Sequence, residues 1–253
     1  MTVSGFRTFI FWFGEVTLFA RDTGRALIRY PFEWRQFWLQ LDAIGTGSLL
    51  LVGISGLAIG VVLSMQFNAT LARFGAETLL PSMISISVIR EIGPIITALV
   101  VAGRVASGIG AELGSMRVTE QIDALDVSAV DSFNYLVVPR IMAAILALPL
   151  LTIYCDVIAI LGGYIGILIE RSISFSEYIT SAIRFLGLDD IVPGVLKTTV
   201  FGLIIGFIGC FNGYKTTGGT VGVGLSATNA VVIGSLLIIV AEVVLVKISL
   251  LFF

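Results

Sequence analysis

Five runs of some twenty mostly apolar residues set the limits on what this chain can fold into. They fall at about 45–67, 81–106, 139–169, 191–211 and 230–251. At about 1.5 Å of rise per residue, a helix of that length crosses a bilayer core of roughly 30 Å. Backbone groups cannot stay unpaired in hydrocarbon, so such runs are expected to be helical. The chain is 57% hydrophobic and only 13% charged, with a mean hydropathy of +1.04, whereas an ordinary soluble domain is about 25% charged. The expected fold class is an all-α polytopic membrane protein, with an N-terminal interfacial amphipathic helix, five transmembrane helices and a cytoplasmic helix between the second and third. In domain terms, residues 1–44 form the interfacial helix and elbow, and 45–253 form the five-span body.

Residues 4–30 place Phe6, Phe9, Ile10, Phe13, Val16 and Ala20 at helical spacing, with Arg7, Arg21, Asp22 and Arg25 mostly off that face. This helix should lie in the interface plane and end at Pro31, the alternative being a helix docked on protein. Arg7 and Glu15 interrupt the apolar run and no small-residue cleavage site follows, so no cleaved signal is expected. Trp34, Arg35, Phe37 and Trp38 suit the headgroup layer. A short outer-side helix is expected at about 174–187. Lys and Arg orient the chain. Arg7, Arg21, Arg25, Arg29, Arg35, Arg104, Arg117, Arg140 and Lys215 stand on one side, against Arg73, Arg171, Arg184 and Lys247 on the other. The expected topology has the N-terminus in the cytoplasm and the C-terminus outside.

Charge inside a span is costly, roughly 3 kcal/mol or more at mid-bilayer, and so marks a special site. Three spans carry it: Arg90 and Glu91 in the second, Lys197 in the fourth and Glu242 in the fifth. Counted from the outer ends of their spans, Glu91, Lys197 and Glu242 lie at overlapping depths of roughly 9 to 15 Å. They could meet as a carboxylate–ammonium cluster. Such a cluster is either a polar lock between helices or the lining of a wet cavity that meets a polar cargo.

Between the second and third spans, Val118, Ile122, Leu125 and Ala129 form one apolar stripe. Thr119 is the expected N-cap, with Glu120 and Asp123 in the first turn. Arg117, Glu120, Gln121 and Asp123 are left to face solvent or a partner. The glycine-rich segment 212–229 is expected as a loop, but it lacks the strand and Gly-Lys-Ser/Thr of a phosphate loop. The chain has no His, and Cys155 and Cys210 both lie in apolar runs, so catalysis, metal binding and disulfides are not expected. Nor is there a basic patch with aromatics for nucleic acid.

The run REIGPIITALVVAGR at 90–104, followed by AELGSMRVTEQIDAL at 111–125 and FNGY at 211–214, resembles the MlaE family, the permease subunits of bacterial lipid-transporting ABC systems. The resemblance implies a homodimer, a dimer of cytoplasmic ABC ATPases, an MCE-domain protein outside and phospholipid as cargo, and it leaves room for a small cytoplasmic accessory subunit. No cofactor is expected in this chain, ATP and Mg belonging to the ATPase. By matching position, Glu112 to Asp126 would be the coupling helix, with Glu112, Gly114, Met116, Arg117, Glu120, Gln121, Asp123 and Leu125 as its contacts. The intramembrane charges of the family match Glu91, Lys197 and Glu242, the last a Glu where some relatives carry Asp. The family's cavity at the dimer interface implies Leu63, Gln66, Leu71 and Phe74. The other readings are a secondary transporter using Glu91, Lys197 and Glu242, and a non-transporting scaffold; no inverted repeat supports the former.

Overall fold

The computed structural model describes residues 2–28, 32–170 and 172–252, with side chains from 11–28, 32–169 and 172–251. Pro31, Arg29 and Arg171, and the side chains of Phe6, Arg7, Phe9 and Ile10, lie outside the described residues. Among the described residues ten α-helices follow one another: α1 (Thr2–Ile28), α2 (Trp34–Arg73), α3 (Leu80–Ser87), α4 (Gly93–Val101), α5 (Ser107–Val118), α6 (Gln121–Val127), α7 (Val138–Glu170), α8 (Phe175–Ile183), α9 (Leu188–Tyr214) and α10 (Gly219–Phe252). Among the described residues there is no strand, and the fold is that of an all-α polytopic membrane protein. Five helical stretches among the described residues are long and apolar enough to span: Trp34–Arg73, Glu77–Val118, Phe133–Ile169, Leu188–Tyr214 and Gly219–Leu251.

Every span is longer than its apolar run. The first begins at Trp34, so the residues expected as an elbow are its opening turns, with Phe37 and Ile44 buried. Arg104 ties this end down, donating through Nη1 to the Ala43 carbonyl and to Ser48 Oγ, both at 3.1 Å. The second stretch continues beyond 106 into the charged region, because its two ends are polar but still helix-forming. It contains two π-helical turns, Val88–Ile92 and Ala102–Ala106. The first has a plain cause. Pro94 has no N–H to offer the Arg90 carbonyl, and the helix widens so that the Gly93 N–H bonds to Val88 O, five residues back. The segment 212–229 is mostly helix rather than loop. Only Lys215–Gly218 interrupts it, and Gly218 and Gly219 take φ values of +88° and +69° that favour glycine. Packing overrides its weak helix propensity, since Ser226 on α10 donates to Gly110 O on α5 at 3.3 Å.

The α2–α7 contact is the backbone of the bundle. Hydrocarbon offers helices no hydrophobic drive to associate, so small residues that let backbones touch must supply it. Gly60 lies against the Ala159 carbonyl and Gly162 against the Leu57 carbonyl, each in the place a Cβ would occupy. Gly202 on α9 sits the same way against the Ala144 carbonyl of α7. At the far end, Tyr178 of α8 is fully buried and donates through Oη to Ile160 O at 2.8 Å. Burial pushes its pKa above the ordinary phenol value, so it remains a donor.

Helix α1 docks on the near end of the bundle. Phe19, 3% exposed, is the anchor, with ring centroids 5.2 Å from Phe133 and 5.5 Å from Phe211. Phe13, Val16 and Ala20 of the expected stripe turn toward the bundle beside it and line an open apolar cavity against α7, α9 and α10, which leaves Phe13 and Ala20 exposed.

Gly60→Leu should drive α2 from α7, since overpacking a tight contact costs about 1–3 kcal/mol or more. The expected result is a several-fold loss of monodisperse protein on fluorescence-detected size exclusion and a lower unfolding midpoint. Gly45→Leu, at a position with open space around it, should leave both unchanged.

Candidate functional site

Lys197 enters the membrane on α9 and is only 4% exposed. Its Nζ donates to Glu91 Oε2 at 2.7 Å and to Glu242 Oε1 at 3.0 Å. Three elements meet there: the π turn Val88–Ile92, α9 and α10. The π turn sets the direction of Glu91, and Gly194, whose Cβ would collide with the Ile89 carbonyl, lets α9 approach that turn closely. The cluster holds one ammonium and two carboxylates, hence a formal excess of one negative charge. Glu242 Oε2 is buried without a hydrogen-bond partner among the described residues. The Glu91 side chain is 44% exposed and that of Glu242 11%, so the cluster opens on Glu91's side. Chemically it can hold a fixed charge in the bilayer, and it can exchange a carboxylate contact for a polar group brought in from that opening.

Arg90 does not join it. Its Nε lies 3.5 Å from Asp190 Oδ1 at the start of α9. Consecutive residues on a helix face different ways, so Arg90 and Glu91 reach separate partners. A third intramembrane acid was missed from the sequence. Asp156 on α7 is 7% exposed, its Oδ1 has no partner among the described residues, and Gly93 packs so closely that any side chain there would strike that oxygen. Thr97 Oγ1 is likewise buried without a partner among the described residues. The signal was present in the sequence, an Asp within TIYCDVIAI. Among the described residues no group of three His, Cys, Asp or Glu is placed to hold a metal ion.

The four first-span positions divide. Leu63 is buried and Leu71 partly so, both within an apolar cluster that includes Leu80, Ile84 and Tyr178. Gln66 and Phe74 are exposed, Phe74 to 79%. None of them touches the Lys197 cluster through a hydrogen bond or ion pair described here.

The stretch 112–126 is a corner between two helices rather than one helix. α5 stops at Val118 and α6 starts at Gln121, with Glu120 between them at φ +59°. Thr119, expected as the N-cap, instead closes α5 and donates to Ser115 O at 2.9 Å. Ala129 lies beyond α6 at φ +60°, so the expected stripe is broken at both ends and Ile122, fully buried, anchors it with Leu125 packed beside it. Such a left-handed non-glycine residue costs of order 1 kcal/mol and needs surrounding contacts to hold it. Two ion pairs provide them. Arg117 Nη1 is 2.6 Å from Asp123 Oδ1 across the corner, and Arg140 Nη2 is 2.7 Å from Glu112 Oε1. Arg117 also lies over the Tyr214 ring at 5.9 Å, and Tyr214 hydrogen-bonds Ser132 at 2.9 Å. Of the expected contact residues, Gly114, Met116 and Leu125 face inward, Gly114 against Thr216. Glu112, Glu120, Gln121 and Asp123 are exposed and Arg117 is half-buried.

Residues 37–248 match the profile of the family described as Permease MlaE. The chain belongs to the MlaE permease family. It is 39% identical over 229 residues to a probable ABC transporter permease protein of Rickettsia bellii, covering 90% of this chain and 88% of that one. It is 34% identical to the intermembrane phospholipid transport system permease protein MlaE of Haemophilus influenzae, covering 92% and 94%. It is 36% identical to the chloroplastic protein TRIGALACTOSYLDIACYLGLYCEROL 1 of Arabidopsis thaliana, covering 92% and 67%. Membership of this permease family and five apolar spans make it a multi-pass membrane protein.

Lys197→Met would leave two carboxylates facing each other without a cation. Removing one partner of a buried pair costs about 3–5 kcal/mol, with the larger share falling on Glu242 because the more open Glu91 is screened. The unfolding midpoint in detergent should fall, and Glu242→Gln added to Lys197→Met should restore part of it. A Lys197→Met protein as stable as the parent would show that the cluster is no lock.

Proposed function

We propose that this chain is the membrane-spanning permease subunit of an ATP-driven phospholipid transporter, acting as a homodimer with a dimer of ABC ATPases. The observation that carries the reading is the unbroken helical stretch Glu77–Val118. It joins Glu91 of the ion cluster to Arg117 at the corner, so displacement of one end is passed along a single rod to the other. The Rickettsia and Haemophilus relatives, named as an ABC permease and a phospholipid-transport permease, support the same engine and cargo.

In this reading the corner lies in the cytoplasm of a bacterial cell, as the Lys and Arg distribution favours. Glu112, Glu120, Gln121 and Asp123 offer an acidic, exposed face to the ATPase, and an MCE-domain protein meets the opposite face. ATP and Mg, bound by the ATPase, supply the energy. The chain's own residues pass on the motion: pressure on the Arg117–Asp123 corner shifts α5 and the π turn, and Glu91 moves against Lys197. Glu91 is the exposed member of the cluster, so its exchange with a lipid headgroup is the least costly. Phospholipid tails would need the apolar walls that Leu63 and its neighbours offer near the dimer interface.

Glu242 and Asp156, each with one buried carboxylate oxygen that has no partner among the described residues, favour a second reading, an ion-coupled permease in which they carry protons. The chain, purified with the subunits that accompany it and placed in vesicles, decides between the two. Under the first reading an ATPase co-purifies, fluorescent phospholipid moves only with ATP, and Glu120→Lys with Arg117→Glu cuts that movement at least tenfold while the chain stays folded. Phospholipid movement driven by a pH gradient without ATP would establish the second reading instead.

A further inference from the structure

Two adjoining chambers lie between α1 and the bundle, away from both the Lys197 cluster and the first-span positions. One is a cavity of about 590 Å³ walled by α1, α7, α9 and α10, and it is almost entirely apolar, with Val16, Ile145, Ile204 and Phe207 among its lining. The other, of about 490 Å³, carries Glu15, Asn212, Lys215, Ser226 and Asn229. Trp12 borders both, its ring edge-on to Phe211 at a centroid distance of 6.2 Å. Each volume is in the range of a small-ligand site.

The polarity changes in the same sense on two spanning helices. Along α9 the lining runs from Leu203, Ile204 and Phe207 to Asn212 and Lys215, and along α10 from Leu237 to Asn229 and Ser226. In both, the apolar part lies toward mid-membrane and the polar part toward the helix end. That gradient is the gradient of a membrane amphiphile held upright, with Trp12 at the level where an indole is usually found. The polar chamber also presents one charge of each sign. Lys215 Nζ and Glu15 Oε1 are 3.1 Å apart, and their side chains are 46% and 50% exposed. A pair so open holds itself together by little, about 0–1 kcal/mol, and can be parted by a ligand that offers both a phosphate and an ammonium. Thr23 Oγ1, on the wall of the apolar chamber, is a buried hydroxyl oxygen without a partner among the described residues, and an ester carbonyl would satisfy it. A second copy of the chain fits less well, because the exposed faces of its spans are apolar and would leave Asn229 and Lys215 facing hydrocarbon.

We infer that these chambers form a binding site for one zwitterionic phospholipid from the leaflet in which α1 lies, with its acyl chain in the apolar chamber and its headgroup between Glu15 and Lys215. The site would be a lateral port at which lipid waits before or after passing through the permease. Only that use as a port rests on the transport reading; the binding does not.

The test uses phosphatidylethanolamine carrying a diazirine near the end of one acyl chain, in vesicles holding the full chain with its accompanying subunits and no ATP. Photolabelled peptides are mapped by mass spectrometry. Labelling of the 138–145 and 203–208 segments should saturate, and unlabelled phosphatidylethanolamine should compete at least threefold better than phosphatidylglycerol. Glu15→Gln with Lys215→Gln should abolish that preference while labelling persists. Thr23→Phe, on a partly exposed helix, should cut labelling about fivefold or more, and Gly45→Leu, away from both chambers, should leave it unchanged. Labelling that rises linearly with bulk lipid and resists competition would mean annular lipid only and overturn the site. So would labelling indifferent to Thr23→Phe, or copy-to-copy crosslinks in its place. Loss of ATP-driven transport with labelling intact would refute the transport reading and leave the site standing.

Discussion

Close backbone contact between helices that cannot rely on the hydrophobic effect is the constraint on which the rest of this protein depends. Lipid tails are as apolar as leucine side chains, so helices in hydrocarbon gain by packing, not by escaping solvent. Gly60 and Gly162 bring α2 and α7 together, and Gly202 does the same for α7 and α9. Once these backbones touch, side chains elsewhere are fixed to within hydrogen-bonding distance. Lys197 reaches Glu91 only because Gly194 allows α9 to lie against the Ile89 carbonyl. The ion cluster is in this sense a product of glycine packing.

The second stretch departs from regular helix where its chemistry lies. Pro94 withholds a donor and the turn before it widens, so that Glu91 faces Lys197 while Arg90 faces Asp190. A regular α-turn would present these neighbours about 100° apart but with different partners in range. The same stretch ends at Glu120, whose left-handed backbone turns the chain into α6. An ion pair and a cation over an aromatic ring hold the corner, both made by Arg117. The stretch is thus helical from Glu77 to Val118, with π turns at Val88–Ile92 and Ala102–Ala106 and a defined bend at its end.

The charged residues were easier to read than their geometry. Glu91, Lys197 and Glu242 stood out because ionisable groups are rare in apolar runs, and their depths followed from helix rise alone. Arg90 stood out equally but belongs elsewhere, since depth does not specify direction around a helix axis. Asp156 was passed over, although TIYCDVIAI shows the same intrusion, and its nearness to Gly93 depends on how α7 crosses α4. After Val118 local rules favoured a short helix with Thr119 as its cap, and the family resemblance one helix over Glu112–Asp126. Tertiary anchoring of Ile122 and Arg117 placed the break one residue later and used Thr119 to end the preceding helix.

By itself the sequence determined the class and the number of spans, because the length of an apolar run against the thickness of a bilayer leaves no other solution. It also marked Glu91, Lys197 and Glu242 as residues in need of partners, since an unpaired charge is costly in hydrocarbon. Tertiary structure alone decided where helices end, that 219–229 is helix, what α1 docks against and which partner each charge takes. Those outcomes turn on contacts between segments far apart in the chain. Periodicity describes one helix at a time and carries no information on the rotation of one helix against another.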